Sequence, residues 1–142
     1  MISNRSIPGN SVIPELPYPD VAKAVEWLCS TFGFTVRLTI ANHRAQLNVG
    51  DAAVVVMESR LDGGVQGHSR SEVSYVLVRV EDVIRHHERT RQRGATILRP
   101  PADHPYGERQ YTAQDLAGHV WTFSESIADV APESWGGTSV NL

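Results

Sequence analysis

The residues of this chain best suited to binding chemistry stand close together in residues 105–123. There Tyr106, Arg109 and Tyr111 lead through the turn Asp115-Leu116-Ala117-Gly118 into His119, Trp121 and Thr122. Planar rings stack on flat ligands and a guanidinium pairs with carboxylate or phosphate, so this loop and strand read as the wall of a small-molecule pocket. Gly118 suits a position of positive φ, and the Asp115 carboxylate can bond its own backbone across the turn. The run that follows sends alternate side chains to opposite faces of a sheet. A simpler version of the pattern occurs earlier, at Gly50-Asp51 before Ala52-Ala53-Val54-Val55-Val56-Met57, which suggests a duplicated unit.

The other reactive side chains carry less. His86 and His87 are neighbours on a predicted helix, where adjacent residues point about 100° apart and chelate one ion poorly. His87 falls four residues after Val83, so it is expected on the inward stripe, half-buried and hydrogen-bonded. His43, His68 and His104 fall in predicted turns or loops and are expected to be exposed, while the face taken by His119 is left open by the alternation alone. Cys29 has no basic neighbour in the sequence to activate it and reads as a structural thiol. There is no Gly-x-Ser-x-Gly elbow, phosphate-binding glycine loop or dinucleotide fingerprint.

Two similar sets of elements must position these residues. After a loose polar arm (residues 1–11), a strand begins at Val12 and stops at Pro17 and Pro19. Asp20 then caps a helix whose apolar residues Val21, Ala24, Val25, Leu28 and Phe32 recur at helical spacing up to Gly33. Strands follow near 34–41, 45–49 and 52–58, and the segment from Asp62-Gly63-Gly64 to Ser69-Arg70 is the best linker. The order then repeats: a strand over 73–80 with Val76, Val78 and Val80 on one side, a helix from Asp82 to Gly94, and strands near 96–99, 109–114 and 119–125. The cap aspartates stand 62 positions apart and the turn glycines 68, which places about six extra residues in the loop around 100–108. Residues 127–142 lack periodicity and read as an extended arm anchored by Trp135.

Composition bounds the function. A chain of 142 residues, 41% hydrophobic, suffices for one compact core, and its formal charge of −3 favours no polyanionic partner. Twelve of the 13 basic residues are arginines, four of them between Arg85 and Arg93, but no basic stripe interleaves with aromatics, so nucleic acid is not expected. The single cysteine excludes an intrachain disulfide and a multi-thiolate metal site. No signal peptide or apolar run of membrane length is evident, so no membrane partner is expected and a cytoplasmic location is.

The element order, the Asp-capped helices ending in Phe-Gly-Phe and Gly-Ala, and the pairing of Tyr106-Gly107-Glu108-Arg109 with Asp115-x-x-Gly118-His119-x-Trp121 resemble the glyoxalase/bleomycin-resistance/dioxygenase family, also called the vicinal oxygen chelate superfamily. The resemblance covers residues 12–126. It implies an α+β fold in which two tandem βαβββ units, about 12–60 and 72–126, form one domain and curl around a shared cavity. It also implies a symmetric homodimer, and a structural bond from His119 to its turn. Relatives hold a divalent metal with His, Glu or Gln from the first and last strand of each unit. Counting from the cap aspartates and turn glycines, those positions fall on Ile13, Tyr75, Thr122 and either Val54 or Val56. None is a normal ligand for an ion that needs imidazole, carboxylate or thiolate donors at about 2.0–2.3 Å, so no metal or other cofactor is expected. Glu58, of the same strand parity as Val54 and Val56, is the carboxylate best able to complete such a site, or else a solvated strand end.

The expected ligand-binding set is therefore Tyr75, Thr122, Arg109, Tyr111, Trp121, Tyr106 and Glu58. In the alternative assignment Tyr111 and Trp121 belong to the core and Arg109 pairs with Glu108, Asp103 or Asp115. The function implied is metal-independent binding of a small molecule, such as sequestration of an antibiotic or xenobiotic. The rivals are a lyase, isomerase or dioxygenase, with displaced metal ligands or with Tyr75 or Glu58 as acid or base, and an interaction protein with a vestigial cavity.

Overall fold

The structure, a computed structural model, describes residues 1–59 and 72–142. The expected linker and His68 lie outside the described residues. The elements run β1 (Glu15–Tyr18), α1 (Val21–Phe32), β2 (Thr35–Ile40), β3 (Arg44–Val49), β4 (Ala52–Glu58), β5 (Tyr75–Arg79), α2 (Val83–Gln92), β6 (Thr96–Asp103), β7 (Glu108–Gln114) and β8 (Val120–Ser126). This is an α+β fold of two tandem βαβββ units. Their strands form two sheets among the described residues, ordered β1-β4-β3-β2 and β5-β8-β7-β6, with β1/β4 and β5/β8 parallel and the remaining pairs antiparallel. Unit 1 comprises residues 1–74 with 115–119, and unit 2 comprises 75–114 with 120–142.

Local chemistry explains the helices. Asp20 and Asp82 are extended N-caps whose carboxylates accept from the backbone N–H three residues on, at Lys23 and Arg85, satisfying one otherwise orphaned donor each. In unit 1, α1 buries Val21, Ala24, Leu28 and Phe32 against its sheet. Among the sheet residues Leu16, Tyr18, Ala45, Leu47, Val54 and Val56 share one parity through the register and are all buried. In unit 2, α2 is far more polar and buries only Val83 and Thr90 completely. It rests on the aromatic face of its sheet, where Tyr111, Trp121 and Phe123 are fully buried beside Ala113.

Three expectations about boundaries need correction. Strand β1 begins at Glu15 rather than Val12, and β5 at Tyr75 rather than Val73. Strand β6 continues through Pro100 and Pro101 to Asp103, tolerated because it is an edge strand whose register is broken twice, between Ile97 and Arg99 and between Arg99 and Ala102. The N-terminal arm is not loose: its carbonyls accept hydrogen bonds from β2 and β3 side chains.

The C-terminal tail turns through a short 3₁₀ segment, Pro132–Ser134, and Trp135 packs against Tyr106 with ring centroids 5.4 Å apart while staying 45% exposed. Its root is fixed at Gly107, whose carbonyl accepts from the N–H groups of Ile127 and Ala128. Gly107 has φ +82°, and a side chain there would collide with the Ala128 carbonyl oxygen, so only glycine fits.

Candidate functional site

In unit 2 the sheet has one face under α2 and one open face. Tyr75 pairs with Val120 and Leu77 with Thr122 across β5/β8, and Thr122 pairs with Thr112 across β8/β7. Because pleated strands alternate, all five side chains share the open face. A shallow cavity of about 290 Å³ lies there, lined by Tyr75, Val76, Leu77, Gln110, Val120 and Thr122. Tyr75 is 80% exposed and Leu77 67%, a large apolar and aromatic surface for an edge strand.

The floor is polar and internally bonded. The Thr112 and Thr122 hydroxyls lie 3.0 Å apart. Gln110 is held at both ends of its amide: Oε1 accepts from the Tyr106 hydroxyl at 3.0 Å, and Nε2 donates to Ser124 Oγ at 3.0 Å. Ser124 donates onward to Glu108 Oε1 at 2.7 Å, and Arg79 stands 3.7 Å from the same oxygen while also bonding Ser126. The Ser126 hydroxyl foremost, with Ser124 and the Arg79 charge, holds the Glu108 carboxyl below the usual carboxylate range. The Tyr106 ring, 36% exposed, also stacks on His104 at 5.0 Å, so the loop brings an aromatic ledge to the same hydrogen-bonded network.

Of the expected site residues, Tyr75 and Thr122 line this cavity, and Tyr106 reaches it through Gln110. Tyr111 and Trp121 do not: they lie on the face under α2. The Tyr111 hydroxyl meets His86 Nδ1 at 2.5 Å and Thr90 Oγ1 at 2.8 Å, and burial pushes its pKa up. Arg109 shares their parity and forms a two-point pair with Asp103, Nε to Oδ1 at 2.7 Å and Nη2 to Oδ2 at 3.3 Å, which braces β6 against β7. Glu58 is the exposed end of β4 in unit 1, with the parity of Val54 and Val56. Gln110 was missed, although two residues from Thr112 on a strand is a same-face spacing.

Counting from the glycines also misplaced the unit 1 counterpart of Thr122. The register pairs Glu15 with Val55 as it pairs Leu77 with Thr122, so the counterpart is Val55 rather than Val54 or Val56. The two glycines are not equivalent: Gly50 opens a two-residue connection between Val49 and Ala52, whereas Gly118 is the fourth of five residues between Gln114 and Val120.

The histidines also differ from expectation. His86, not His87, makes the part-buried hydrogen bond, and its ring packs tilted against Phe123 with centroids 4.1 Å apart, while His87 meets the edge of Tyr111 at 5.1 Å. His119 is buried within unit 1. Its Nε2 donates to the Pro17 carbonyl at 2.7 Å, and its Nδ1 accepts from the Ser74 N–H at 2.9 Å. Asp115 completes this latch, accepting from the Tyr18 hydroxyl at 2.6 Å and from the N–H groups of Ala117 and His119. Burial, followed by the Asp115 charge, drives the Tyr18 pKa upward.

The cavity's donors do not fit a catalytic divalent metal. A phenol, an amide, a threonine hydroxyl and aliphatic chains lack the imidazole, carboxylate or thiolate set such an ion needs. Among the described residues there is no group of three or more His, Cys, Asp or Glu placed to hold one. None of the described helices is long and apolar enough to cross a membrane.

Comparison with known proteins agrees with this geometry at the level of fold. The profile of the Glyoxalase/Bleomycin resistance protein/Dioxygenase superfamily matches residues 12–123. Among solved structures, TioX from Micromonospora sp. ML1 is 33% identical, with TM-score 0.69, covering 86% of this chain and all of its own. A glyoxalase/bleomycin resistance protein/dioxygenase from Nocardioides is 19% identical, with TM-score 0.64, covering 100% of this chain and 92% of its own. Lactoylglutathione lyase from Agrobacterium tumefaciens, 14% identical with TM-score 0.64 over 83% of this chain and 94% of its own, shares the fold. No curated protein matches the chain. The match over most of the length and the duplicated βαβββ order together place the chain in the glyoxalase/bleomycin resistance protein/dioxygenase superfamily.

Proposed function

We propose that this chain is a metal-independent binding protein of the superfamily, which takes a small, partly aromatic molecule on the open face of the unit 2 sheet and sequesters it. The observation that carries the reading is Tyr75: a ring 80% exposed at the mouth of a cavity, beside Leu77 and above a hydroxyl and amide floor. A protruding ring on a rigid strand loses little entropy when it stacks, and such contacts contribute about 0.5–1.5 kcal/mol beyond area burial. The pre-bonded Gln110 and the Thr112–Thr122 pair supply fixed polar atoms that orient a ligand without having to be ordered first. An antibiotic or another xenobiotic fits this chemistry, and the family's name supports that class. The partner is thus a small molecule, and the working location the cytoplasm.

We further propose that the chain works as a symmetric homodimer, in which a second copy pairs along the open edge of β5 and covers Leu77 while the Tyr75 ring stays at the cavity mouth. A thermal-shift screen of aromatic antibiotics, glutathione conjugates and divalent metals tests the functional reading. Stabilisation by aromatic compounds, reduced in Tyr75→Ala in line with about tenfold weaker binding, is expected. Stabilisation only by a metal, with turnover of a glutathione conjugate, would replace it with the enzymatic alternative.

A further inference from the structure

The open face of the unit 1 sheet carries its own occupant. Residues 4–10 of the N-terminal arm lie on it. Gln46 Nε2 donates to the Ser6 carbonyl at 2.9 Å, and Arg37 Nη2 donates to the carbonyls of Arg5 at 3.0 Å and Ile7 at 3.3 Å. Asn10 secures the end of the segment by donating to the Asp51 carbonyl at 3.2 Å, and Pro8 between them is buried. Three consecutive backbone carbonyls are therefore read by two side chains, with no recognition of the arm's own side chains in these bonds.

Arg37 reaches this position because it is the extra residue of a β-bulge. The β2/β3 register passes from Val36–Leu47 to Leu38–Gln46, leaving Arg37 unpaired and aimed at Gln46, whose Oε1 accepts from Nη1 at 2.5 Å. The duplication provides an internal comparison. Unit 2 repeats the bulge between Ile97–Ala113 and Arg99–Thr112, so Leu98 stands where unit 1 has Arg37, and Thr112 where it has Gln46. At these two positions unit 2 has neither guanidinium nor amide, and among the described residues no strap is seen on its cavity face. Among the described residues the partners of Arg37 are the Gln46 amide oxygen and the Arg5 and Ile7 carbonyls, so its charge rests on neutral oxygens.

We propose that the open face of unit 1 is a binding site for an extended peptide segment, occupied in cis by residues 4–10 acting as a displaceable strap. The ligand class is a run of backbone carbonyls held by Arg37 and Gln46. The site involves unit 1 residues only and does not rest on the reading of the unit 2 cavity. Tethering holds the arm at a local concentration on the order of millimolar, so a weak segment closes the face until a better acceptor chain competes.

The test removes residues 1–10, which end before β1, and titrates the truncated chain with a fluorescent synthetic peptide of residues 1–11, read by anisotropy. Saturable binding is expected, at least about tenfold weaker to the full-length chain, and at least about tenfold weaker to a truncated chain carrying Arg37→Leu, the residue type of unit 2. A folded truncated chain that does not bind the peptide, binds it no better than the full-length chain, or is indifferent to Arg37→Leu overturns the proposal. If the truncated chain does not fold, the full-length chain carries the test: Arg37→Leu should speed tryptic cleavage after Arg5 several-fold, followed by mass spectrometry, and an unchanged rate overturns it. An arm-dependent dimer in light scattering would overturn the assignment in cis.

Discussion

Tyr75 and Tyr111 are both tyrosines of unit 2, yet their surroundings assign them opposite work. The Tyr75 ring stands in solvent over the cavity, so Tyr75→Ala should weaken a cognate ligand about tenfold and leave the melting temperature nearly unchanged, as calorimetry with and without ligand would read. Tyr111→Phe should do the reverse. It leaves His86 Nδ1 and Thr90 Oγ1 without their shared partner and should cost about 1–2 kcal/mol in urea unfolding, with ligand affinity retained. Glu108 adds a dependence on acid. Its folded pKa is depressed, so its contribution is present above the ordinary value of 4.5 and is lost as pH falls through the folded value, where the carboxylate takes up a proton. Glu108→Gln should accordingly flatten the fall in melting temperature below pH 4.5, and a profile parallel to the unmodified protein would refute this role.

At the scale of elements, the Asp115–His119 turn does more than reverse the chain. Within unit 1 it joins β1 to Ser74 through Tyr18, Pro17 and the Ser74 N–H, with the Asp115 carboxylate at its centre. Tyr18→Phe removes one donor from that buried carboxylate and should cost about 1–3 kcal/mol, measured by denaturant midpoint. His119→Ala should cost at least as much, since it strands both the Pro17 carbonyl and the Ser74 N–H. The loop at Gly107 plays the same part for the C-terminal tail. Gly107→Ala combines positive φ with a clash, so it should release the tail and shift the fluorescence of Trp135 without unfolding the sheets.

For the whole molecule, the donor set of the cavity predicts that protein purified without added metal carries well under one equivalent of divalent ion, and that a chelator leaves its melting temperature unchanged. Stoichiometric zinc, nickel, iron or manganese by elemental analysis would contradict both. Light scattering at tens of micromolar checks the proposed homodimer, for which a monomer is the adverse result. What the amino-acid sequence determined by itself was local and periodic: the aspartate caps, the apolar spacing of α1, the alternation of β5 and the twofold repeat of βαβββ, each set by residues a few positions apart. Tertiary structure decided which faces those periodicities meet. Period-two alternation says that Tyr111 and Trp121 oppose Thr112 and Thr122, but only the packing of α2 buries the first pair and leaves the second open. Turn glycines mark a reversal without fixing register, so Val55 rather than Val54 or Val56 matches Thr122. Nor does any local pattern reveal that a bulge would turn Arg37 onto the carbonyls of a polar arm thirty residues away, because that contact exists only once the sheet has formed.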